Sequence, residues 1–183
     1  MDIASPQSGP LPGGAALDRA ALLEALAATP PLVEGLTDPA VQVQPNGIDL
    51  TLAAVFRLEG AGRIGLTNAD RMLPELVPVE PEAGWFTLGP GLYQATLNET
   101  VHIPLDLTGL GWPRSSLLRS GVTIHTAVWD AGYFGRSQVL LSVVNPAGFR
   151  VAVGARIVQM VFFRLTNAVQ EGYQGVYQGG NFR

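Results

Sequence analysis

The feature that most constrains this chain is its punctuation. Beyond residue 31, short apolar or alternating runs occupy 48–56, 73–79, 84–88, 92–97, 100–105, 122–127, 138–144, 149–153 and 155–165. Turn formers separate them, among them GAG at 60–62, GPG at 89–91 and NPAG at 145–148. Breaks at roughly 8–12-residue intervals are the pattern of an all-β barrel or sandwich. Glycine and proline together number 36, as a turn-dominated chain requires. One segment differs: LDRAALLEALAA (17–28) has apolar residues at helical spacing, Asp18 placed to cap it and Pro30-Pro31 to stop it. The expected organisation is a Pro/Gly/Ser-rich leader over 1–16, a single domain over 17–168 and a flexible C-terminal arm over 169–183, with no internal repeat.

Composition narrows the chemistry. The 183 residues suit one domain, and 47% hydrophobic with 14% charged residues and no apolar run of 18 predicts a soluble globular protein with no membrane span. The start, MDIASPQSGPLPGG, has no basic segment and no apolar block, so the expected location is the cytoplasm. Cysteine is absent and the only histidines are His102 and His125, which removes thiolate, iron–sulfur and histidine-rich metal chemistry. Catalysis must then rest on carboxylates, hydroxyls, arginines and backbone dipoles.

Charge is distributed unevenly. Thirteen of the fifteen acids fall within residues 1–106, whereas residues 107–170 hold six arginines and one acid, Asp130. Such a stretch is either a solvated basic face or a site for a polyanion. Nucleic acid is a poor fit, because the stretch has no aromatic stacking platform and the whole chain carries a net charge of −4.

Three segments carry candidate chemistry. WPRSSLLRSGV (112–122) brings Arg114, Ser115, Ser116 and Arg119 together, and a turn or short helix there would aim hydroxyls and guanidinium groups at one anion such as an oligophosphate; the plainer reading is a serine helix cap with solvated arginines. IHTAVWDAGYFGRSQVLLSVVN (124–145) reads as a strand, a tight hairpin and a return strand, with Asp130 at the bend as a general base, a hydroxyl acceptor or a turn residue. In GARIVQMVFFRL (154–165), Arg156 and Gln159 interrupt an apolar strand, and a buried Gln159 would need partners. The tail EGYQGVYQGGNFR (171–183) is either a frayed end or an arm whose Tyr173 and Tyr177 close over a ligand.

The order P-R-S-S-L-x-R-x-G (113–121), V-W-D-A-G-Y-x-G (128–135) and G-x-R-I-x-Q (154–159) resembles the dUTPase and dCTP deaminase superfamily, and HTAVWDAGYFGRSQVLL is similar to its archaeal-type dUTPases. QPNGIDLTL (44–52) and YQG (173–175) are similar to the deaminase branch. The resemblance spans about residues 17–178 and implies a mainly β, distorted dUTPase-like barrel (β-clip) with a short N-terminal helix, assembled as a homotrimer with sites at subunit interfaces that take dUTP and Mg²⁺. By that resemblance Arg114, Ser115, Ser116, Arg119 and Gln159 hold phosphates, and Asp130 contacts the sugar hydroxyl and positions water. Tyr133 lies under the deoxyribose, His125, Thr126, Ala127 and Val128 read the uracil largely through main-chain groups, and Tyr173 and Gln174 belong to an arm over the nucleotide.

Hydrolase and deaminase branches differ at one position. Deaminases and bifunctional members carry a glutamate ten residues after the aspartate, and here that position is Leu140. Deamination needs a proton shuttle, which leucine cannot be, and a zinc route is closed without cysteine. The expected activity is therefore dUTP diphosphatase, with a dCTP deaminase or bifunctional enzyme as the alternative. A non-catalytic nucleotide-binding trimer would be expected to lack Asp130, which is present. Ala131, where the archaeal-type pattern has proline, and Phe134, where it has a polar residue, depart from the family without removing a catalytic group.

Overall fold

A computed structural model describes residues 14–180. The leader expected over 1–16 lies outside the described residues as far as residue 13, as do residues 181–183 of the arm. In chain order the elements are α1 (Arg19–Leu26), β1 (Val33–Glu34), α2 (Pro39–Gln42), β2 (Val43–Gln44), β3 (Gly47–Glu59), a 3₁₀ turn (Asn68–Asp70), β4 (Glu75–Val79), β5 (Trp85–Leu88) and β6 (Gly91–His102). They continue as β7 (Leu107–Pro113), α3 (Ser115–Arg119), β8 (Val122–His125), β9 (Phe134–Val143), β10 (Phe149–Ala152) and β11 (Arg156–Arg164).

The strands run β7-β11-β3-β6-β9-β8 in one antiparallel sheet, with β1 added on β6 and both β2 and β4 on β3, while β5 and β10 form a separate ribbon. Register shifts between β11 and β3, β3 and β6, and β6 and β9 bend the sheet until its two edges meet. The seam is a pair of backbone bonds: Gly109 N donates to Trp129 O at 2.9 Å and Trp129 N to Gly109 O at 3.0 Å. The Trp129 side chain is buried and its indole N–H donates to Ser137 Oγ at 2.7 Å. It packs directly over Gly111, where a Cβ would lie 3.0 Å from two ring atoms. Sheet closure and core packing thus meet in one side chain.

The expected barrel-like β body is present. α1 is shorter than 17–28 at both ends, and Asp18 caps it by accepting from Ala21 N at 2.9 Å. The runs at 92–97 and 100–105 are one strand, β6, because Asn98 and Glu99 find buried partners instead of breaking it. β7 is a strand no apolar run announced, since its glycines are there to receive Trp129. The tight hairpin expected at Asp130 is instead an eight-residue connection, 126–133, between β8 and β9. The pairing of Trp129 with Gly109 draws that connection away from its own strands, toward β7.

Trp129→Ala removes the seam's buried ring and is expected to cost about 3–5 kcal/mol, read as a lower midpoint in urea denaturation.

Candidate functional site

One half of the site is built on β3. Its first six residues are buried, so Asp49 sits inside with 1% of its surface exposed. Two arginines converge on it: Arg114 Nε lies 2.9 Å and Arg156 Nη1 3.1 Å from Asp49 Oδ2. Arg156 Nη1 also donates to Val41 O at 2.8 Å. Burial pushes the Asp49 carboxyl above its ordinary value, and the Arg114 and Arg156 charges pull it back.

Behind Asp49 lies a second buried acid, Glu99, fully enclosed and with no cation beside it among the described residues. Three donors satisfy it: Gln42 Nε2 at 2.8 Å, Thr51 N at 2.8 Å and Thr51 Oγ1 at 2.7 Å. Gln42 Nε2 also donates to Asp49 O at 2.9 Å, so one carboxamide ties the two acids together.

Arg114 leaves β7 at the start of α3, where its N–H donates to Ile157 O at 3.1 Å. Ser115, Ser116 and Arg119 are exposed on that single turn, and no side chain caps its N-terminus, so the reading of Ser115 or Ser116 as the cap does not hold. Gln159 pairs with Asp49 across the β11–β3 ladder and with Trp112 across β11–β7. It is half-buried rather than buried, and no protein hydrogen bond among the described residues engages its side chain. The structure therefore gathers Arg114, Arg156, Asp49 and Gln159 into one cationic edge beside α3.

The second half is a cavity of about 580 Å³. Its apolar wall includes Leu58, Leu73 and Leu76, and its polar lining comprises Gln94, Asp130, Ser137, Gln138 and the tyrosines 133, 173 and 177. Asp130 is exposed, and among the described residues no hydrogen bond or ion pair engages its carboxylate; only its carbonyl is used, accepting from Tyr133 N at 3.1 Å. Tyr133 is half-buried, and burial raises its phenol further, which keeps it neutral. Ala127 and Val128 line the cavity; Thr126 turns to Gly111 O at 3.3 Å, and His125 is exposed outside the lining.

The tail packs on the turn after Asp130. Gly132 has φ +82°, and a Cβ there would lie 2.5 Å from Gly172 Cα, so two bare backbones cross. Tyr173 N donates to Ala131 O at 2.8 Å, Gln178 Nε2 to Gly132 O at 2.8 Å, and Phe134 N to Gln178 Oε1 at 3.0 Å. Tyr173 and Tyr177 reach the cavity, whereas Gln174 is exposed and does not line it.

None of Arg114, Ser115, Ser116, Arg119 and Gln159 lines this cavity. The two halves are attached at separate points of β7, with Trp129 at Gly109 and Arg114 just after Pro113, about 17 Å apart along a strand. Among the described residues no three His, Asp or Glu side chains gather as metal ligands, and no helix is long and apolar enough to cross a membrane. Sequence reasoning missed Asp49, Glu99, Gln94 and Gln138; the one signal for Asp49 was an acid inside the otherwise apolar alternation of GIDLTL.

A sequence profile described as dCTP deaminase-like matches residues 17–165. The chain is 47% identical over 161 residues to a probable deoxyuridine 5'-triphosphate nucleotidohydrolase of Methanosarcina mazei, covering 87% of this chain and 94% of that protein. A protein of the same description from Archaeoglobus fulgidus is 47% identical over 150 residues, 82% of this chain and 88% of the other. Among solved structures, a 2'-deoxycytidine 5'-triphosphate deaminase from Agrobacterium tumefaciens superposes with a TM-score of 0.61 at 23% identity. The match covers 83% of this chain and 48% of that longer one, a likeness of fold.

Because burial holds the Asp49 carboxyl above 3.8, the folded chain binds that proton more tightly than the unfolded chain. Its contribution to stability is therefore present below 3.8 and is lost as pH rises through the folded value. Urea denaturation across this acidic range should show that decline in the wild type and not in Asp49→Asn. In Arg114→Ala the decline should move to higher pH.

Proposed function

The chain belongs to the dCTP deaminase-like family, and on that premise we propose that it is a dUTP diphosphatase, converting dUTP and water to dUMP and pyrophosphate. Relatives with that activity in their names cover most of this chain. The observation that carries the reading is the chemistry of the cavity. Among the described residues Asp130 is its only carboxylate and is unpaired, while Leu140, at the position of a deaminase's glutamate, stands opposite Gln94 and His125 in the ladders. A carboxylate in the lining can orient a water and take its proton; a leucine at the glutamate's position cannot protonate and deprotonate a pyrimidine ring.

In this mechanism the Asp130 carboxylate accepts a proton from water as its oxygen attacks the α-phosphorus. The bond from that phosphorus to the bridging oxygen breaks and pyrophosphate leaves in line. Arg114, Arg119, Ser115, Ser116 and Gln159 hold the phosphate chain, and Asp49 keeps the Arg114 guanidinium oriented for it. Tyr133 carries the deoxyribose, with main-chain groups of 125–128 at the base. Magnesium suits this donor set as an ion carried by the triphosphate and its waters, since Asp49 is committed to two arginines. When bound it would draw charge off the phosphate oxygens.

The separation of the two halves supports a homotrimer in which the cationic edge of one protomer faces the cavity of the next. A triphosphate would then span the boundary. The tail supports the arm reading: Tyr173 and Tyr177 wall the cavity, and Gln178 fastens them to the turn that carries Asp130.

The direct test supplies Mg²⁺ with dUTP or dCTP and scores pyrophosphate and ammonia in parallel. Pyrophosphate from dUTP without ammonia from dCTP is the expected result; ammonia from dCTP would overturn the hydrolase assignment. Asp130→Asn should lower kcat by about 10²–10⁴-fold while dUMP affinity stays near wild type. Deleting residues 173–183 should slow turnover without lowering the denaturation midpoint.

A further inference from the structure

The cavity's remaining polar wall has a use that phosphate transfer does not require. Most of its polar side chains are engaged elsewhere: Ser137 Oγ accepts from Trp129 Nε1, Tyr133 Oη donates to Arg136 O at 3.4 Å, and the Tyr173 ring packs edge-on against Tyr133. Gln138 and Gln94 are different. Gln94 Nε2 donates to Gln138 Oε1 at 2.5 Å, and Gln138 Nε2 donates to Thr96 Oγ1 at 3.3 Å. Thr96 is buried behind them and pairs with Gln138 across β6 and β9, as Gln94 pairs with Leu140. A carboxamide has two N–H donors and two acceptor lone pairs, so each glutamine keeps both a donor and an acceptor for a guest in the cavity.

We propose that Gln138, coupled to Gln94 and Thr96 by hydrogen bonds, is a specificity-determining residue that discriminates between pyrimidine rings at their hydrogen-bonding edge. The inference rests on the reading of the cavity as a nucleotide site. Uracil presents an N–H flanked by two carbonyls; cytosine presents an amino group beside a bare ring nitrogen. A freely rotating carboxamide pairs with either edge by turning over. One bonded to two partners turns over only if Gln94 and the Thr96 hydroxyl turn with it, so the ring whose donors and acceptors run the wrong way either forces that concerted change or leaves buried partners unmatched. The wall is also neutral, so it selects the ring without acting on it.

The experiment measures kcat/KM for pyrophosphate release from dUTP and dCTP, together with equilibrium binding of dUMP and dCMP. It compares the wild type with Gln138→Leu, Gln94→Leu and Thr96→Val, each checked for folding by circular dichroism. The preference for the uracil nucleotide should fall about tenfold or more in Gln138→Leu, and it should fall in Gln94→Leu although Gln138 is intact. An unchanged preference in folded Gln138→Leu, with dUTP still hydrolysed, overturns this inference and leaves the hydrolase assignment standing. A wild type that releases no pyrophosphate yet prefers dUMP, with the preference lost in Gln138→Leu, overturns the hydrolase assignment and sustains the inference. Should one variant fail to fold, the other two decide; a wild type with no base preference in binding or turnover overturns the proposal outright.

Discussion

Two acids that have no access to water organise this protein. Asp49 and Glu99 lie on adjacent strands, β3 and β6, joined through the carboxamide of Gln42. An isolated buried carboxylate is costly, and each of these is offset in a different way. Glu99 has neutral donors only, which pin α2 and β3 against β6. Asp49 has two guanidinium groups, which bring the end of β7 and the start of β11 to the same point. Without the acid, two half-buried arginines would repel each other at the centre of the cationic edge. With it, they are fixed side by side, and on the proposed reading the fold's own need for a counter-charge preorganises the edge that meets the phosphates.

The arrangement also separates two tasks. The arginine edge belongs to strands in the rigid body of the sheet, while Asp130, Tyr133 and the tail belong to a connection and a terminus that lean on each other. Charge neutralisation depends on rigidity, and enclosure of a small guest depends on segments that can pack onto it. On the proposed reading, phosphate recognition and base recognition can therefore change independently.

Much of this was legible from the chain. The β body, the helix capped at Asp18 and the arginine segment with its short turn follow from local signals: turn formers, spacing and a capping residue. β7 was hidden because Gly109, Gly111 and Pro113 read as turn, and only the presence of Trp129 across the seam explains them as strand. β6 was divided because Asn98 and Glu99 look like a polar break, and their partners, Gln42, Thr51 and Leu52, come from other elements. Asp49 was visible as an odd acid, but its arginines lie far along the chain. The cavity's glutamines carried no signal, since a glutamine on a strand face is unremarkable until the opposite strand supplies another.

Trp129 immediately precedes Asp130 in the chain, so the closure of the barrel and the mounting of the Asp130 carboxylate share one stretch of backbone. Since the Trp129 ring is itself part of the core, the carboxylate loses its register only if that core is disturbed, so on warming the loss of activity and the loss of the fold should coincide.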